Sequence, residues 1–330
     1  MNDTTNSEEQ AIDRLLDILF NEGKQKIKTL VTHKYPDDDA WLCLWIATNF
    51  IPNIAEANIV FINSGNTING IKEDPSILHF DTGGGQDDQH GKGLKRTCSA
   101  KLLAERLNIA QNPGLKPLLE LAVASDNIDR LPVRDIHFLI KGYPQKFRTN
   151  GETDWDKVRE RVFENFDVIY GQEEQREESR RKLKGVGRST ILPNGIKVTS
   201  ILWNPVCREA AFEEDAAVVI WTAHKRKRFY TGIQVNRNYP IFLDNVVAAL
   251  RFQENKVRLI KTDGDLHSVG KRDMDDPWFL YDNKKLVLNG SRAFELTEEQ
   301  FTKLDPDKII GTVHSSLSAI PKEIVSRWRK

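Results

Sequence analysis

Three consecutive acids stand between two apolar stretches in Thr32-His33-Lys34-Tyr35-Pro36-Asp37-Asp38-Asp39-Ala40. Ile27 to Thr32 reads as a short buried strand, and Ala40 to Phe50 as a helix. Carboxylates packed into one tight turn repel each other unless something positive lies among them. Two arrangements relieve that repulsion. The acids can cap the helix that follows, whose N-terminal N–H groups and dipole favour negative charge. Alternatively they can surround a divalent cation, for which His and Asp are suitable ligands when the ion is manganese, zinc or iron. His33, Asp37 and Asp39 are spaced so that one turn can aim all three at a common point, with Pro36 stiffening it. This segment alone does not choose between cap and ligand set.

Further along, Asn58 to Asn63 and Ile77 to Phe80 read as strands. Helices are expected from Ser99, a candidate N-cap, to Leu107 and from Leu115 to Ala124. Strands alternating with helices at this spacing predict an α/β domain with a largely parallel sheet flanked by helices. In such sheets ligands collect at the carboxyl ends of the strands. Acids recur at those ends. Asp81 follows the third strand and precedes Gly83-Gly84-Gly85; Asp87-Asp88-Gln89-His90 lies among further glycines; Asp126 follows an apolar helical segment in Ser125-Asp126-Asn127. Glycines let the backbone approach a ligand closely. Four acid-bearing loops, each after an apolar element, are what a metal hydrolase needs and more than solubility requires.

In that order and rough spacing, HKYPDDDA, the lone Asp81, Asp88-Gln89-His90 and Asp126 resemble the four motifs of the DHH phosphoesterase superfamily. The resemblance covers residues 27 to about 130. It implies a two-metal site, with His33, Asp37 and Asp126 on one ion, Asp39 on the other, and Asp81 bridging. It further implies manganese as the ion, Asp81, Asp88 and His90 as catalytic residues, and His90 also as a contact to the substrate. Where the family carries its first third-motif histidine this chain has Gln89. A carboxamide oxygen is a poor ligand beside imidazole, so the second ion should be held more loosely or not at all. One ion or two is therefore the expectation. His79 reads as a core histidine or one supporting the ligands.

Lys92, Lys95 and Arg96 precede the expected helix start at Ser99 and are candidates to receive phosphate, or else simply an exposed basic loop. Residues 154 to 184 read as a heavily charged, solvated linking helix. Beyond them the pattern becomes one of strands (Ile191 to Trp203, Ala216 to Thr222, Arg228 to Val235) with a hairpin tip at His224-Lys225-Arg226-Lys227. Trp278 to Leu280 and Lys285 to Leu288 could pair, and helices are expected near 298 to 303 and 306 to 317. The division this suggests is a leading helix in 1–26, a catalytic domain over 27–150, a linker over 151–190, and a smaller α+β substrate or cap domain over 191–330. Lys271, Arg272, Ser291 and Arg292 are candidate substrate contacts there, since arginine forks suit phosphate oxygens. Trp41, Trp45, Trp203 and Trp221 read as core residues rather than stacking platforms.

Lys plus Arg and Asp plus Glu both number 48, so net charge singles out no partner. Three scattered cysteines form no CxxC pair, which argues against a disulfide framework and fits a reducing compartment. The longest strongly apolar run is too short to span a bilayer, and the first ten residues show no secretory pattern. A cytoplasmic enzyme is expected, cleaving a phosphoester or phosphoanhydride in a phosphorylated small molecule or short oligonucleotide, with no membrane partner. Whether it pairs as a homodimer is open. Alternatives are a weakened metal- or phosphoryl-ligand-binding module, motivated by Gln89, and a nucleic-acid-processing protein, motivated by the basic run at 225–228.

Overall fold

The fold is described from a computed structural model. It describes residues 27–328 except 53, 55, 69–73, 91, 95, 130, 132–134, 226–227, 263, 274 and 291–295. The leading helix expected in 1–26 and the candidates Lys95, Ser291 and Arg292 lie outside the described residues. The chain forms two compact units, Met1–Gln175 and Arg176–Lys330.

The first unit is an α/β layer built on three parallel strands, β1 (Thr29–His33), β2 (Asn58–Ile62) and β3 (Ile77–His79), in the order β2-β1-β3. Helix α1 (Asp38–Phe50) makes the crossover from β1 to β2. It starts two residues earlier than its apolar pattern suggests, because Asp37 is its N-cap: the side chain accepts from the Asp39 and Ala40 N–H groups. Ala40 to Ala47 are all buried, so this helix is apolar on every face and forms the centre of the core. Trp41 and Trp45 are core residues, as expected.

Helices α2 (Ser99–Arg106) and α3 (Lys116–Asp126) pack against α1. Two boundaries differ from expectation. Ser99 is not an N-cap; it is the first helical residue, and the cap position, Cys98, makes no side-chain cap bond. Asp126 is the last residue of α3 rather than part of a loop. Helix α4 (Ile136–Lys146) and the short ribbon β4/β5 (Arg148–Thr149, Glu152–Thr153) follow. Helix α5 (Trp155–Val186) runs 32 residues, and the division between the units falls within it. It is more than a solvated linker: Val158, Val162 and Phe166, four residues apart, are buried in the first unit's core.

In the second unit, six strands lie in the order β10-β11-β9-β8-β7-β6. These are β6 (Gly187–Ile191), β7 (Lys197–Ile201), β8 (Val218–Lys225), β9 (Arg228–Val235), β10 (Phe279–Leu280) and β11 (Leu286–Asn289). All pairings are antiparallel except β7 with β8. The expected single strand over 191–203 is thus a hairpin, closed by a turn in which Gly195 N–H donates to the Leu192 carbonyl. Helices α6 (Arg208–Glu213), α7 (Asp244–Arg258), α8 (Pro306–Ser318) and α9 (Lys322–Arg327) complete the unit. Residues 298–300 form a turn, where a helix was expected.

Arg251 on α7 is fully buried. It is paired with Asp276 at 2.7 Å and donates to the carbonyls of Leu266, Ser268, Gly270 and Trp278, so one guanidinium organises the whole 266–278 loop. Among the described residues no helix is long and apolar enough to cross a membrane.

Candidate metal centre

The parallel register explains why distant residues meet. Val31 is opposite His79, so two residues further along both strands His33 faces Asp81 at the carboxyl end of the sheet. His33 Nε2 lies 3.0 Å from Asp81 Oδ2. Asp81 is almost fully buried and adopts φ +51°, an uncommon left-handed conformation for an acid, which turns the chain sharply into the glycine run. Asp37 uses Oδ1 for the α1 cap and has Oδ2 left to face the same space. His33, Asp37 and Asp81 each present one donor atom within 4.8 Å of the others, a set of one imidazole and two carboxylates that suits a divalent transition metal. Asp81, Asp88 and His90 form a second set that meets the same limit.

The other candidate acids also accept hydrogen bonds from the protein. Asp39 is fully buried, and its two oxygens accept the N–H groups of Ser99 and Ala100, both at 2.8 Å. It is therefore the cap of α2, supplied from 60 residues away. Asp88 folds its own loop, accepting from Gly84 N–H and His90 N–H. Asp126 Oδ1 accepts from Gln89 Nε2 at 3.2 Å. That same nitrogen lies 3.3 Å from Asp81 Oδ1 and 3.2 Å from His90 Nε2, while Gln89 Oε1 accepts from Ser99 Oγ at 2.5 Å. The imidazole of His90 is the most exposed group in the cluster and stands 3.2 Å from Asp81 Oδ1.

Electrostatics match a site built for a cation. Burial, then the nearby Asp81 charge, raises Asp37, Asp39 and Asp126 above the usual carboxylate range. Burial by itself would lower the His33 pKa, but the bond to Asp81 and the surrounding negative charge outweigh it and hold the ring at about 9. The histidine clings to its proton because of the negative charge around it, and the carboxylates resist ionising because they are buried and then because Asp81 is near.

The two candidate phosphate-binding cations near α2 have protein partners. Lys92 Nζ donates to the carbonyls of Gly85 and Gln86, and Arg96 pairs with Asp129 at 2.6 Å. His79 accepts the Ile68 N–H at 3.2 Å, a supporting role. In the second unit, Arg272 pairs with Asp273 and its backbone N–H donates to Asp276, while burial lowers the pKa of half-buried Lys271.

Three participants went unnoticed in the sequence. Ser99 links Asp39 to Gln89. His137, on α4, pairs through Nδ1 with the buried middle acid Asp38. Arg106 pairs with Asp87 through two bonds of 2.9 and 2.6 Å beneath the glycine loop. None belongs to a recognisable local motif, although Asp38 and Asp87, each adjacent to a candidate acid, were a hint that partners must exist.

No family model and no curated protein matches the chain. Solved structures at low identity resemble the chain, among them one described as a DHH domain. A pGpG-specific phosphodiesterase from Vibrio cholerae is 10% identical, with 89% of this chain and all of that one covered and a TM-score of 0.32. The DHH domain of a member of a ribosomal-protein family is also 10% identical, covering 97% and 93%, with a TM-score of 0.32. RecJ from Thermus thermophilus, in complex with Mn2+, is 13% identical over 95% of this chain and 55% of its own, with a TM-score of 0.26. What the site can do follows from its own residues.

Proposed function

We propose that the chain is a metal-dependent phosphoester hydrolase of DHH type, with the catalytic centre in its first unit. The observation that carries this reading is the convergence of His33, Asp37 and Asp81 at the carboxyl end of a parallel sheet. These residues would hold a divalent cation, with manganese as the proposed ion. When bound, such a cation acidifies a water and neutralises charge on phosphoryl oxygens.

The chain's own groups supply the rest. His33 Nδ1–H donates to the Lys34 carbonyl at 2.9 Å, which leaves Nε2, 3.0 Å from Asp81, to face the cluster. His90, exposed and 3.2 Å from Asp81, would give a proton to a leaving oxygen. The Asp88 carboxylate holds the Gly84 to His90 loop in shape, so that His90 points inward. Buried Phe80 and the apolar α1 keep water from the back of the site.

The test is hydrolysis of pyrophosphate, bis(p-nitrophenyl) phosphate and a short oligonucleotide by manganese-loaded protein. Turnover that chelator abolishes, and that Asp81→Asn lowers by roughly 10²–10³-fold, the effect of removing one charge-stabilising group, supports the proposal. No turnover on any of the three substrates sinks it.

A second reading is favoured by one observation in the second unit: an exposed Trp203 stacked on His224, the residue that precedes the basic run 225–228 in sequence. It makes the substrate a single-stranded oligonucleotide.

A further inference from the structure

Two carboxylates and an imidazole converge on one point in this cluster, and the point is filled by a nitrogen. Gln89 Nε2 lies 3.2–3.3 Å from Asp81 Oδ1, Asp126 Oδ1 and His90 Nε2. An ionised carboxylate offers only acceptors, so the amide must turn its NH2 toward Asp81 and Asp126. Its oxygen is then held by Ser99 Oγ, which also lies 3.3 Å from Asp81 Oδ1, and Ser99 is itself fixed through its backbone N–H to Asp39. Gln89 is nearly buried, so water cannot replace either set of bonds.

We propose that the Gln89 carboxamide stands where a second cation would otherwise be bound, so that the centre takes one ion per chain. The inference rests on the hydrolase reading above. Electrostatically, the carboxamide does part of a cation's work. Its two N–H dipoles satisfy Asp81 Oδ1 and Asp126 Oδ1, leaving Asp81 Oδ2 with His33 and Asp37 for the single ion. Sterically, it excludes a competitor. A metal needs oxygens at about 2.0–2.2 Å, and no ion can sit that close to Asp81 Oδ1 and Asp126 Oδ1 while Nε2 lies between them. Asp39 accepts the Ser99 and Ala100 N–H groups with its two oxygens at the start of α2. Gln89 is thus a positioning residue that sets the ion count, and Ser99 is the residue that sets which way its amide points.

The experiment counts ions. Wild-type protein saturated with Mn2+ is desalted for elemental analysis and examined by electron paramagnetic resonance. One ion per chain with the six-line signal of an isolated Mn2+ is the expected result. Two ions, or the multiline signal of a coupled pair, would overturn the inference and leave the hydrolase reading standing. No bound ion would remove both. Gln89→Glu is isosteric and replaces the two donors with a third carboxylate, which opens the position to a cation. The count should then double, with coupling appearing in the spectrum. A variant that folds and still holds one ion shows that the amide does not stand in a cation position. Should it fail to fold, the wild-type count decides.

Discussion

Asp39, on the first turn of α1, accepts the backbone N–H groups of Ser99 and Ala100 at 2.8 Å each, so a charge in the helix after β1 caps the helix that closes the site. Replacing Asp39 with Ala orphans two N–H groups that have no route to water. Unsatisfied buried donors cost about 1–3 kcal/mol each. Relief of repulsion with Asp81 and Asp37, which helps hold the Asp39 pKa well above normal, offsets part of that. We expect a net loss of about 2 kcal/mol in the presence of chelator. Denaturant unfolding measures it. Unchanged stability without metal would mean that Asp39 is not a structural cap.

His33 gives the pH dependence. Its folded pKa is raised to about 9 from 6.5, so the His33⁺–Asp81 interaction stabilises the metal-free fold fully below 6.5 and is lost as pH rises through 9. A metal ligand must be the neutral ring, so an ion binding between those pH values has to displace the proton. Apparent Mn2+ affinity should climb roughly tenfold per pH unit from 6.5 to 9 and level off above. Calorimetry in buffers of different ionisation enthalpy should find about one proton released per ion at about pH 7.5. Zero protons released there would remove His33 from the ligand set.

Asp87 and Arg106 form a bidentate pair whose side chains are 7% and 11% exposed, tying the glycine loop to α2. Breaking such a pair strands a buried charge, at a cost of about 3–5 kcal/mol, whereas deleting both partners costs less. Arg106→Ala should therefore destabilise more than the Asp87→Ala/Arg106→Ala double variant. Denaturant unfolding of Arg106→Ala, Asp87→Ala and the double variant checks it. A double variant worse than either single one would show that packing, rather than the charge pair, matters there.

The acid loops were legible because each sits at a change of local pattern, apolar strand to polar turn, that sequence alone displays. Strand and helix limits near the site came within one or two residues for the same reason. What each acid does was not legible. His33 and Asp81 meet because strand register aligns them, whereas Asp39 is drawn to Ser99 and Gln89 to Asp126 by helix packing across tens of residues. Trp203 was misread. Apolar neighbours in sequence suggested core, but its φ of +67° turns the indole outward, and 42% of the residue is exposed. No local pattern announces a left-handed tryptophan. Helix α7 went unanticipated as well, since its buried face carries Arg251, Glu254 and Asn255, which look like surface residues until their partners are known.

That outward tryptophan carries the last prediction. The Trp203 and His224 rings stack 4.1 Å apart and 13° from parallel, Phe229 meets the indole edge-on, and the Trp203 N–H is pinned to Thr222 Oγ1. Holding a non-glycine residue in the left-handed region costs about 1–3 kcal/mol, a strain the fold bears while presenting a ring pair at the surface. Lys225 and Arg228 are paired in register at the end of the same two strands, with Arg226 and Lys227 between them in sequence. Aromatic faces and basic residues close together in sequence suit the bases and phosphates of a single strand, and stacking is worth about 1–3 kcal/mol per base. Binding of a labelled oligothymidylate should weaken roughly 5- to 100-fold in Trp203→Ala, while stability changes little. Its affinity should fall with salt at a log–log slope of about −3 if all four basic residues meet phosphates, and roughly half that in Lys225→Ala/Arg228→Ala. Absence of binding at low salt, or a salt slope untouched by the double substitution, would rule out the oligonucleotide reading and leave a small phosphorylated molecule as the substrate.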